Sequence, residues 1–65
     1  MLLNNRPFDK WHEGITISEV IEIMNYIYPK LVIKVNDVVI DRKNCETFVL
    51  KENDELKIYH LLAGG

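Results

Sequence analysis

The sequence predicts an α+β domain in which one main helix packs across a mixed sheet of four to five strands. One segment shows the helical spacing of apolar residues, and several others are rich in β-branched residues. Along the chain the predicted elements follow the order strand, strand, helix, strand, short strand, strand. An N-terminal hairpin, a single helix and a long closing strand are typical of an α+β arrangement.

The first dozen residues predict a hairpin. Residues 1–4 form a short apolar segment, and the Asn-Arg-Pro triplet at 5–7 is typical of a turn. We expect residues 8–12 to form the second strand, although Phe8 and Trp11 cannot point to the same face of a regular strand. A Glu-Gly pair then ends this strand.

Residues 16–28 give the clearest helical pattern. Thr16 and Glu19 have the spacing of a capping box, with Thr16 at the N-cap and Glu19 reaching back to it. Pro29 lacks a backbone N–H group and disfavours helical geometry in the preceding residue, so we expect the helix to end at Tyr28. Apolar residues at helical spacing predict one packed face, made of Ile17, Val20, Ile21, Met24, and Ile27 or Tyr28.

Two strands are predicted directly after the helix. Residues 31–35 are rich in β-branched side chains and predict a central strand. Asn36-Asp37 is a plausible tight turn, because both residue types tolerate left-handed backbone conformations. Residues 38–40 then continue as extended chain.

The remainder of the chain predicts a loop and a closing strand. We expect a loop with one short helical turn at residues 41–47, a brief strand at 48–50, and a turn in which Asn53 has positive φ. Residues 55–62 alternate between apolar and polar side chains and predict the final strand.

Length and composition restrict the class of protein. A chain of 65 residues forms one domain at most, and such a chain buries only about 60% of its unfolded surface. The hydrophobic fraction of 48% and the charged fraction of 28% are typical of a globular domain. So small a core leaves little room for a deep catalytic pocket. We therefore expect a substrate-like or partner-binding protein rather than an enzyme.

Charge and cysteine content exclude further classes. Ten acidic and eight basic side chains give a net charge of −2 without an evident basic patch, so nucleic acid is not an expected partner. The single cysteine cannot form an internal disulfide framework. The apolar runs are too short to span a membrane, and the N-terminal residues lack the pattern of a signal peptide. We therefore expect no membrane partner and a cytoplasmic location.

The last five residues, Leu61-Leu62-Ala63-Gly64-Gly65, are the most informative indication of function. Glycine has no Cβ atom, so this end can pass through a narrow channel, and the terminal carboxylate of Gly65 is sterically unhindered. We expect a folded domain over residues 1–62 and a flexible tail over 63–65. The alternative and simpler interpretation of these residues is a frayed terminus that happens to contain glycine.

Four stretches of the sequence carry a resemblance to a known family. They are residues 13–21 (EGITISEVI), 35–42 (VNDVVIDR), 53–56 (NDEL) and 62–65 (LAGG). In their order and spacing they resemble the ThiS-type sulfur carriers of thiamine biosynthesis, which have the ubiquitin-like β-grasp fold. The related small subunit of molybdopterin synthase is usually longer and tends to carry a Pro-Pro pair before its diglycine, so it is less similar.

The resemblance implies a mechanism and a set of partners. A ThiF-type adenylyltransferase would use ATP to convert the Gly65 carboxylate into an acyl-adenylate, and a sulfur-donating persulfide protein would supply the sulfur of a thiocarboxylate. A ThiG-type thiazole synthase would then draw that sulfur into the thiazole ring. The resemblance makes Gly65 the reactive residue, and the chain itself would bind no metal and no cofactor tightly. The expected partner-binding residues are Leu61, Leu62, Ala63 and Gly64.

Alternative functions remain open at this point. The chain could be a ubiquitin-like protein modifier that is joined through Gly65 to a lysine of another protein. It could also be a sulfur carrier for molybdopterin synthesis, or a β-grasp binding module with an inert tail. The first two alternatives require the diglycine, whereas a binding module would still function without it.

Several other residues have both a functional and a purely structural interpretation. Cys45 could be a redox or persulfide site, but a lone intracellular cysteine is more often a small buried apolar residue. His12 and His60 are too far apart in sequence to form a local metal motif. For Trp11 and Tyr59, partner contact and packing over the sheet edge are both open. For Arg42, contact with the activating enzyme and a salt bridge within its loop are both open.

Overall fold

The computed structural model describes residues 1–27 and 30–60 of the chain. Its α-helix, α1, spans Ile17–Ile23, and a 3₁₀ helix spans Arg42–Asn44, inside the loop for which the sequence predicts a short helical turn. The strands are β1 (Leu2–Leu3), β2 (Arg6–Pro7), β3 (Leu31–Val35), β4 (Val38–Ile40) and β5 (Glu55–His60).

All five strands belong to one mixed sheet, with the order β2-β1-β5-β3-β4. β1 runs parallel to β5, and every other neighbouring pair is antiparallel. The predicted α+β class, with a mixed sheet of four to five strands and one main helix, is confirmed. β5 occupies the centre of the sheet, between the hairpin of β1 and β2 and the hairpin of β3 and β4.

Both hairpins close through two-residue turns with left-handed backbone. φ is 51° at Asn4 and 67° at Asn5, and it is 49° at Asn36 and 69° at Asp37. Such turns match the right-handed twist of the paired strands, and Asn and Asp adopt them at lower cost than most residues with a Cβ atom. The predicted turn at Asn36-Asp37 is confirmed.

The N-terminal hairpin forms, but its second strand is not the one predicted. β2 consists of Arg6–Pro7, which pairs with β1, and residues 8–12 are not a strand. The turn at Asn4-Asn5 reverses the chain earlier than the sequence pattern suggests. Phe8 is consequently free to enter the core, where it is buried.

Helix α1 begins as predicted. Thr16 is the N-cap residue, and its Oγ1 atom accepts a hydrogen bond from the Glu19 N–H group at 3.2 Å. The Glu19 carboxylate does not complete the capping box, because its Oε2 atom lies 2.5 Å from Nε2 of His12. The start of the helix is therefore tied to the preceding loop by a side-chain pair that the sequence pattern does not predict.

Helix α1 ends earlier than predicted. Asn25 has a φ of 57° and donates its N–H group to the Glu22 carbonyl at 3.1 Å, while the Tyr26 N–H group donates to the Ile21 carbonyl at 3.0 Å. This pair of bonds is a Schellman motif, which satisfies the last carbonyl groups of a helix and stops it. The helix therefore ends at Ile23.

The early end changes which residues face the core. Met24 is 41% exposed, so the prediction that it belongs to the packed face is wrong, and Ile27, one of the two alternatives for the next position, is 80% exposed. Ile17, Val20 and Ile21 are buried as predicted. Tyr28 and Pro29, where the sequence places the end of the helix, lie outside the described residues.

One cluster of buried apolar side chains joins α1, the sheet and the loop before β5. Trp11 packs against this cluster, and its Nε1–H group donates to the Leu50 carbonyl at 3.1 Å. The members of the cluster are Leu3, Phe8, Ile15, Ile17, Val20, Ile21, Ile33, Val35, Cys45, Leu50, Leu56 and Ile58.

The segment before β5 departs from the prediction in two places. The predicted strand at residues 48–50 is reduced to a single bridge between Thr16 and Val49. Asn53 does not have positive φ. The turn before β5 is instead closed by Asp54, whose N–H group donates to the Lys51 carbonyl at 3.0 Å and whose Oδ2 atom accepts from the Lys51 N–H group at 2.8 Å.

Candidate functional site

The five residues predicted to act with partners, Leu61, Leu62, Ala63, Gly64 and Gly65, lie outside the described residues. Their roles therefore stay predictions. The structure does describe β5 as far as His60, the residue that precedes them in sequence. The candidate site can be built from this strand and from the groups around its C-terminal end.

Strand β5 is paired with β3 on one side and with β1 on the other. Its register with β3 extends to the last strand residue, since Leu31 lies opposite His60 and Val32 lies opposite Tyr59. On the other side, Leu3 of β1 lies opposite Leu56. The strand that leads towards the predicted reactive residues is therefore an interior strand of the sheet rather than an edge strand. β3 pairs with it as far as His60, whereas backbone pairing with β1 reaches only Leu56.

Asn4 adds a contact to β5 that sequence reasoning missed. Its Oδ1 atom accepts from the Ile58 N–H group at 2.8 Å, and its Nδ2 group donates to the Ile58 carbonyl at 3.2 Å. The side chain is half-buried between the N-terminal turn and β5. Two consecutive asparagines before a short strand were the available signal, because asparagine both tolerates positive φ and bonds backbone groups.

A cleft of about 340 Å³ opens beside the C-terminal end of β5. A second cleft, of about 470 Å³, lies between the N-terminal hairpin and the end of α1, and Asn4 and Tyr26 line both of them. The residues that line the first cleft are Asn4, Tyr26, Leu31, Ile58, Tyr59 and His60.

The face of the sheet opposite the core carries both apolar and basic side chains. Because side chains alternate along a strand, burial of Ile33 and Ile58 turns their neighbours in β3 and β5 to this side. Tyr59 is 48% exposed and Val39 is 65% exposed. We define the outer face as Val32, Lys34, Val39, Lys57 and Tyr59.

Two lysines lie directly opposite each other on the outer face. Lys34 of β3 is the register partner of Lys57 of β5. Like charges at such a position repel each other and destabilise the sheet. Asp37 offsets part of this repulsion, because its Oδ1 atom lies 3.9 Å from Nζ of Lys57. The outer face therefore combines apolar area with a concentration of positive charge, on a chain whose net charge is −2.

His12 forms a second polar contact, away from β5. Its Nε2 atom lies by the Glu19 carboxylate and its Nδ1 atom lies 3.0 Å from the Glu13 carbonyl oxygen. The hydrogen bond to Glu19, followed by the bond to the Glu13 carbonyl, raises the pKa of His12 above its ordinary value of 6.5. Only the imidazolium form can donate to both acceptors at once.

Cys45 is a core residue and not an exposed thiol. It is 2% exposed, and its Sγ atom lies 3.8 Å from the Asp41 carbonyl oxygen. Burial raises the pKa of the thiol, which keeps it protonated and unreactive near neutral pH. The structural interpretation of Cys45 therefore agrees with its position. Arg42 is exposed in the 3₁₀ helix.

Residues 1–27 and 30–60 contain no group of three or more His, Cys, Asp or Glu side chains that could hold a metal ion. Within the same residues, no helix is both long and apolar enough to cross a membrane.

Comparison with known proteins supports the fold. A thiamine biosynthesis protein (ThiS) from Geobacter metallireducens superposes with a TM-score of 0.81, at 15% sequence identity, over 98% of this chain and 96% of that chain. The two chains therefore share the ubiquitin-like β-grasp fold that the sequence resemblance predicts. A search of curated proteins finds no match.

Comparison with family models supports the resemblance itself. The model of the ThiS family matches residues 1–65, which is the entire sequence and includes the terminal diglycine. The chain belongs to the ThiS family.

Proposed function

We propose that the protein is a sulfur carrier for thiamine (thiazole) biosynthesis, and that the C-terminal carboxylate of Gly65 carries the sulfur as a thiocarboxylate. The observation that carries this proposal is the family match over the whole chain, diglycine included. The similarity in fold to a thiamine biosynthesis protein from Geobacter metallireducens agrees with it.

The chemistry explains why a carrier needs an activating partner. A carboxylate is a poor electrophile, because its charge and its resonance both oppose nucleophilic attack. The Gly65 carboxylate would attack the α-phosphate of ATP, forming an acyl-adenylate and releasing pyrophosphate. A persulfide sulfur would then displace AMP from the acyl carbon, and reductive cleavage of the S–S bond by a thiol would leave the thiocarboxylate.

The body of the domain serves in this proposal to present Gly65 to other proteins. The catalytic groups, the ATP and its metal ion would belong to a ThiF-type adenylyltransferase. A persulfide protein and a ThiG-type thiazole synthase would act before and after the thiocarboxylate, respectively. A domain of 65 residues suits such a substrate role, because so small a core leaves little room for a catalytic pocket with supporting residues around it.

We also propose that the activating partner contacts the outer face. Tyr59 lies on this face and precedes Leu61 by two positions in sequence, so the outer face is the described surface nearest in sequence to the predicted reactive residues. The opposed Lys34 and Lys57 would be better neutralised by an acidic partner surface than by solvent. The exposed apolar area of Val39 and Tyr59 supplies contact area.

The test of the carrier function is mass spectrometry of the intact chain. The chain is incubated with ATP, a ThiF-type enzyme, a persulfide donor and a reducing thiol. We expect a mass increase equal to the replacement of one oxygen atom by sulfur, located at Gly65 by fragmentation. The variant that lacks Gly64 and Gly65 is the control and should show no increase.

The same experiment separates the alternatives. If the intact chain gains no sulfur while a known ThiS protein does so under the same conditions, the carrier proposal is wrong. An isopeptide bond between Gly65 and a lysine of another protein would instead favour the modifier function. Support of growth by the diglycine-deleted variant in a thiamine-requiring strain would favour a binding module.

A further inference from the structure

We infer that Asn4 is a positioning residue whose side-chain amide holds the C-terminal half of β5, the segment that precedes the predicted reactive residues in sequence. Its effect on adenylation rests on the proposed function. The hold on β5 itself is a property of the fold and can be measured separately.

Asn4 contacts β5 through both its main chain and its side chain. Its N–H group donates to the Leu56 carbonyl at 2.9 Å. Its amide side chain then bonds both the N–H group and the carbonyl of Ile58, at 2.8 and 3.2 Å. The side-chain amide therefore presents a donor and an acceptor side by side, as the backbone of a longer β1 would do.

The turn geometry explains why a side chain has to make this contact. β1 ends at Leu3, and the left-handed backbone of Asn4 directs the chain away from β5 towards β2. Without the amide, the pairing on this side of β5 would stop at Leu56. With it, the pairing reaches Ile58, which is close to the end of the strand at His60.

Asn36 makes a comparable contact at the opposite end of β5. Its φ is 49°, its Oδ1 atom accepts from the Glu55 N–H group at 2.9 Å, and its Nδ2 group donates to Oδ1 of Asp54 at 3.0 Å. Both ends of β5 are therefore held by an asparagine in a left-handed turn. Only the end that Asn4 holds is followed directly in sequence by the predicted reactive residues.

By ordering the end of β5 in the free protein, the Asn4 side chain should reduce the entropy that is lost when a partner binds. If the end of β5 were loose in the free protein, a partner would have to order it on binding. Ordering the backbone of a fully free residue weakens binding by a factor of about five to thirty, and because β3 still pairs with β5 as far as His60, loss of the amide would cost only part of that factor. A strand end that is already fixed avoids this loss, so Asn4 should lower the KM for the carrier without changing kcat.

The experiment compares four variants with the wild type. Asn4→Gly keeps the left-handed turn but removes the amide, whereas Asn4→Asp keeps the acceptor for the Ile58 N–H group and loses the donor. Asn36→Gly is the matched control at the other end of β5. Asn5→Gly is the control for glycine in the N-terminal turn, because Asn5 also has positive φ and is exposed.

Two readouts are measured for each variant. Amide hydrogen exchange reports the order of β5. We expect Asn4→Gly to accelerate exchange at the Ile58 N–H group by about two- to tenfold, which corresponds to the net free energy of one hydrogen bond. Pyrophosphate release by a ThiF-type enzyme reports adenylation. For Asn4→Gly we expect KM to rise about threefold or more with kcat unchanged, in line with the loss of the side-chain bonds, and for Asn4→Asp a smaller rise.

The controls decide what the result means. Asn36→Gly and Asn5→Gly should leave KM within about twofold of the wild-type value. Equal KM values for Asn4→Gly and Asn36→Gly, or unchanged exchange at Ile58 in Asn4→Gly, would overturn the inference. Should the wild type itself fail to be adenylated, the proposed function is lost, and the exchange data alone support or overturn the hold of Asn4 on β5.

Discussion

Four asparagines and one aspartate occupy the left-handed backbone positions outside glycine in the described part of the chain. Each can adopt positive φ at lower cost than most other residues, and each has a short polar side chain. At Asn4 and Asn36 the same side chain also bonds β5. One residue type thus supplies both the turn geometry and a strand contact, which a glycine would supply only in part.

At the scale of single residues, the His12–Glu19 pair should make stability depend on pH. The pKa of His12 is raised in the folded state, chiefly by its bond to Glu19, so folding favours the imidazolium form. The contribution is present below the unfolded value of 6.5 and is lost as pH rises through the higher folded value. We expect the difference in free energy of unfolding between wild type and His12→Gln to shrink between about pH 5 and pH 8.

Urea denaturation at several pH values measures this difference. His60→Gln serves as the control, since it removes the other histidine without altering the contact to Glu19. A difference between wild type and His12→Gln that stays constant over the range, or that grows with pH, would show that the pair does not titrate as described.

At the scale of elements, helix α1 depends on its two ends. Its seven residues are too few to form a stable helix in isolation. Thr16 satisfies a free N–H group at the start, and the bonds of Asn25 and Tyr26 satisfy carbonyl groups at the end. The burial of Ile17, Val20 and Ile21 then holds the short helix against the sheet.

Removing the N-cap should destabilise the domain measurably. We expect Thr16→Ala to lower the free energy of unfolding by about 1 kcal/mol, because the Glu19 N–H group loses its acceptor. Thr16→Ser keeps a hydroxyl group and should retain most of the stability. Thermal and urea unfolding of the three proteins measure the effect, and equal losses for Ala and Ser would assign it to the Thr16 methyl group instead.

At the scale of the whole molecule, the two sides of the sheet differ in burial and charge. One side packs against α1 and forms the core, while the outer face is partly exposed and holds the opposed Lys34 and Lys57. If that face contacts an acidic partner, its charge should affect binding far more than it affects folding.

Charge reversal at Lys34 tests this expectation. Lys34→Glu replaces a repulsive cross-strand pair by an attractive one, so the free energy of unfolding should be unchanged or slightly higher. Affinity for the ThiF-type partner should nevertheless fall about tenfold at low salt, and by less as salt is added. Lys51→Glu, in the turn before β5, makes the same charge change away from the outer face and should bind as the wild type does. Comparable losses for both variants would mean that net charge, not this face, governs binding.

Some features could be predicted from sequence because they depend on local chemistry. The strand at residues 31–35, the turn at Asn36-Asp37 and the start of the helix at Thr16 all follow from residue type at neighbouring positions. The end of the helix could not be predicted in this way. Pro29 predicts an end at Tyr28, whereas Asn25 ends the helix earlier by adopting a conformation that asparagine permits but does not require.

The candidate site likewise combines features that the sequence shows locally with features that depend on the fold. The diglycine is visible in the sequence because its chemistry lies in the residues themselves. The bond from Asn4 to Ile58 and the pairing of Lys34 with Lys57 join residues far apart in the chain, and only the register of the sheet brings them together. Long-range pairs of this kind carry no local signature, so a single sequence without its fold does not reveal them.

The position of β5 also affects how the protein can be made. β5 is translated after every other described element, yet it is the only strand that joins the two hairpins into one sheet. Until it has left the ribosome, each hairpin is an isolated pair of strands with little stability of its own. A nascent chain whose synthesis stops before β5 is complete therefore cannot form this five-stranded sheet.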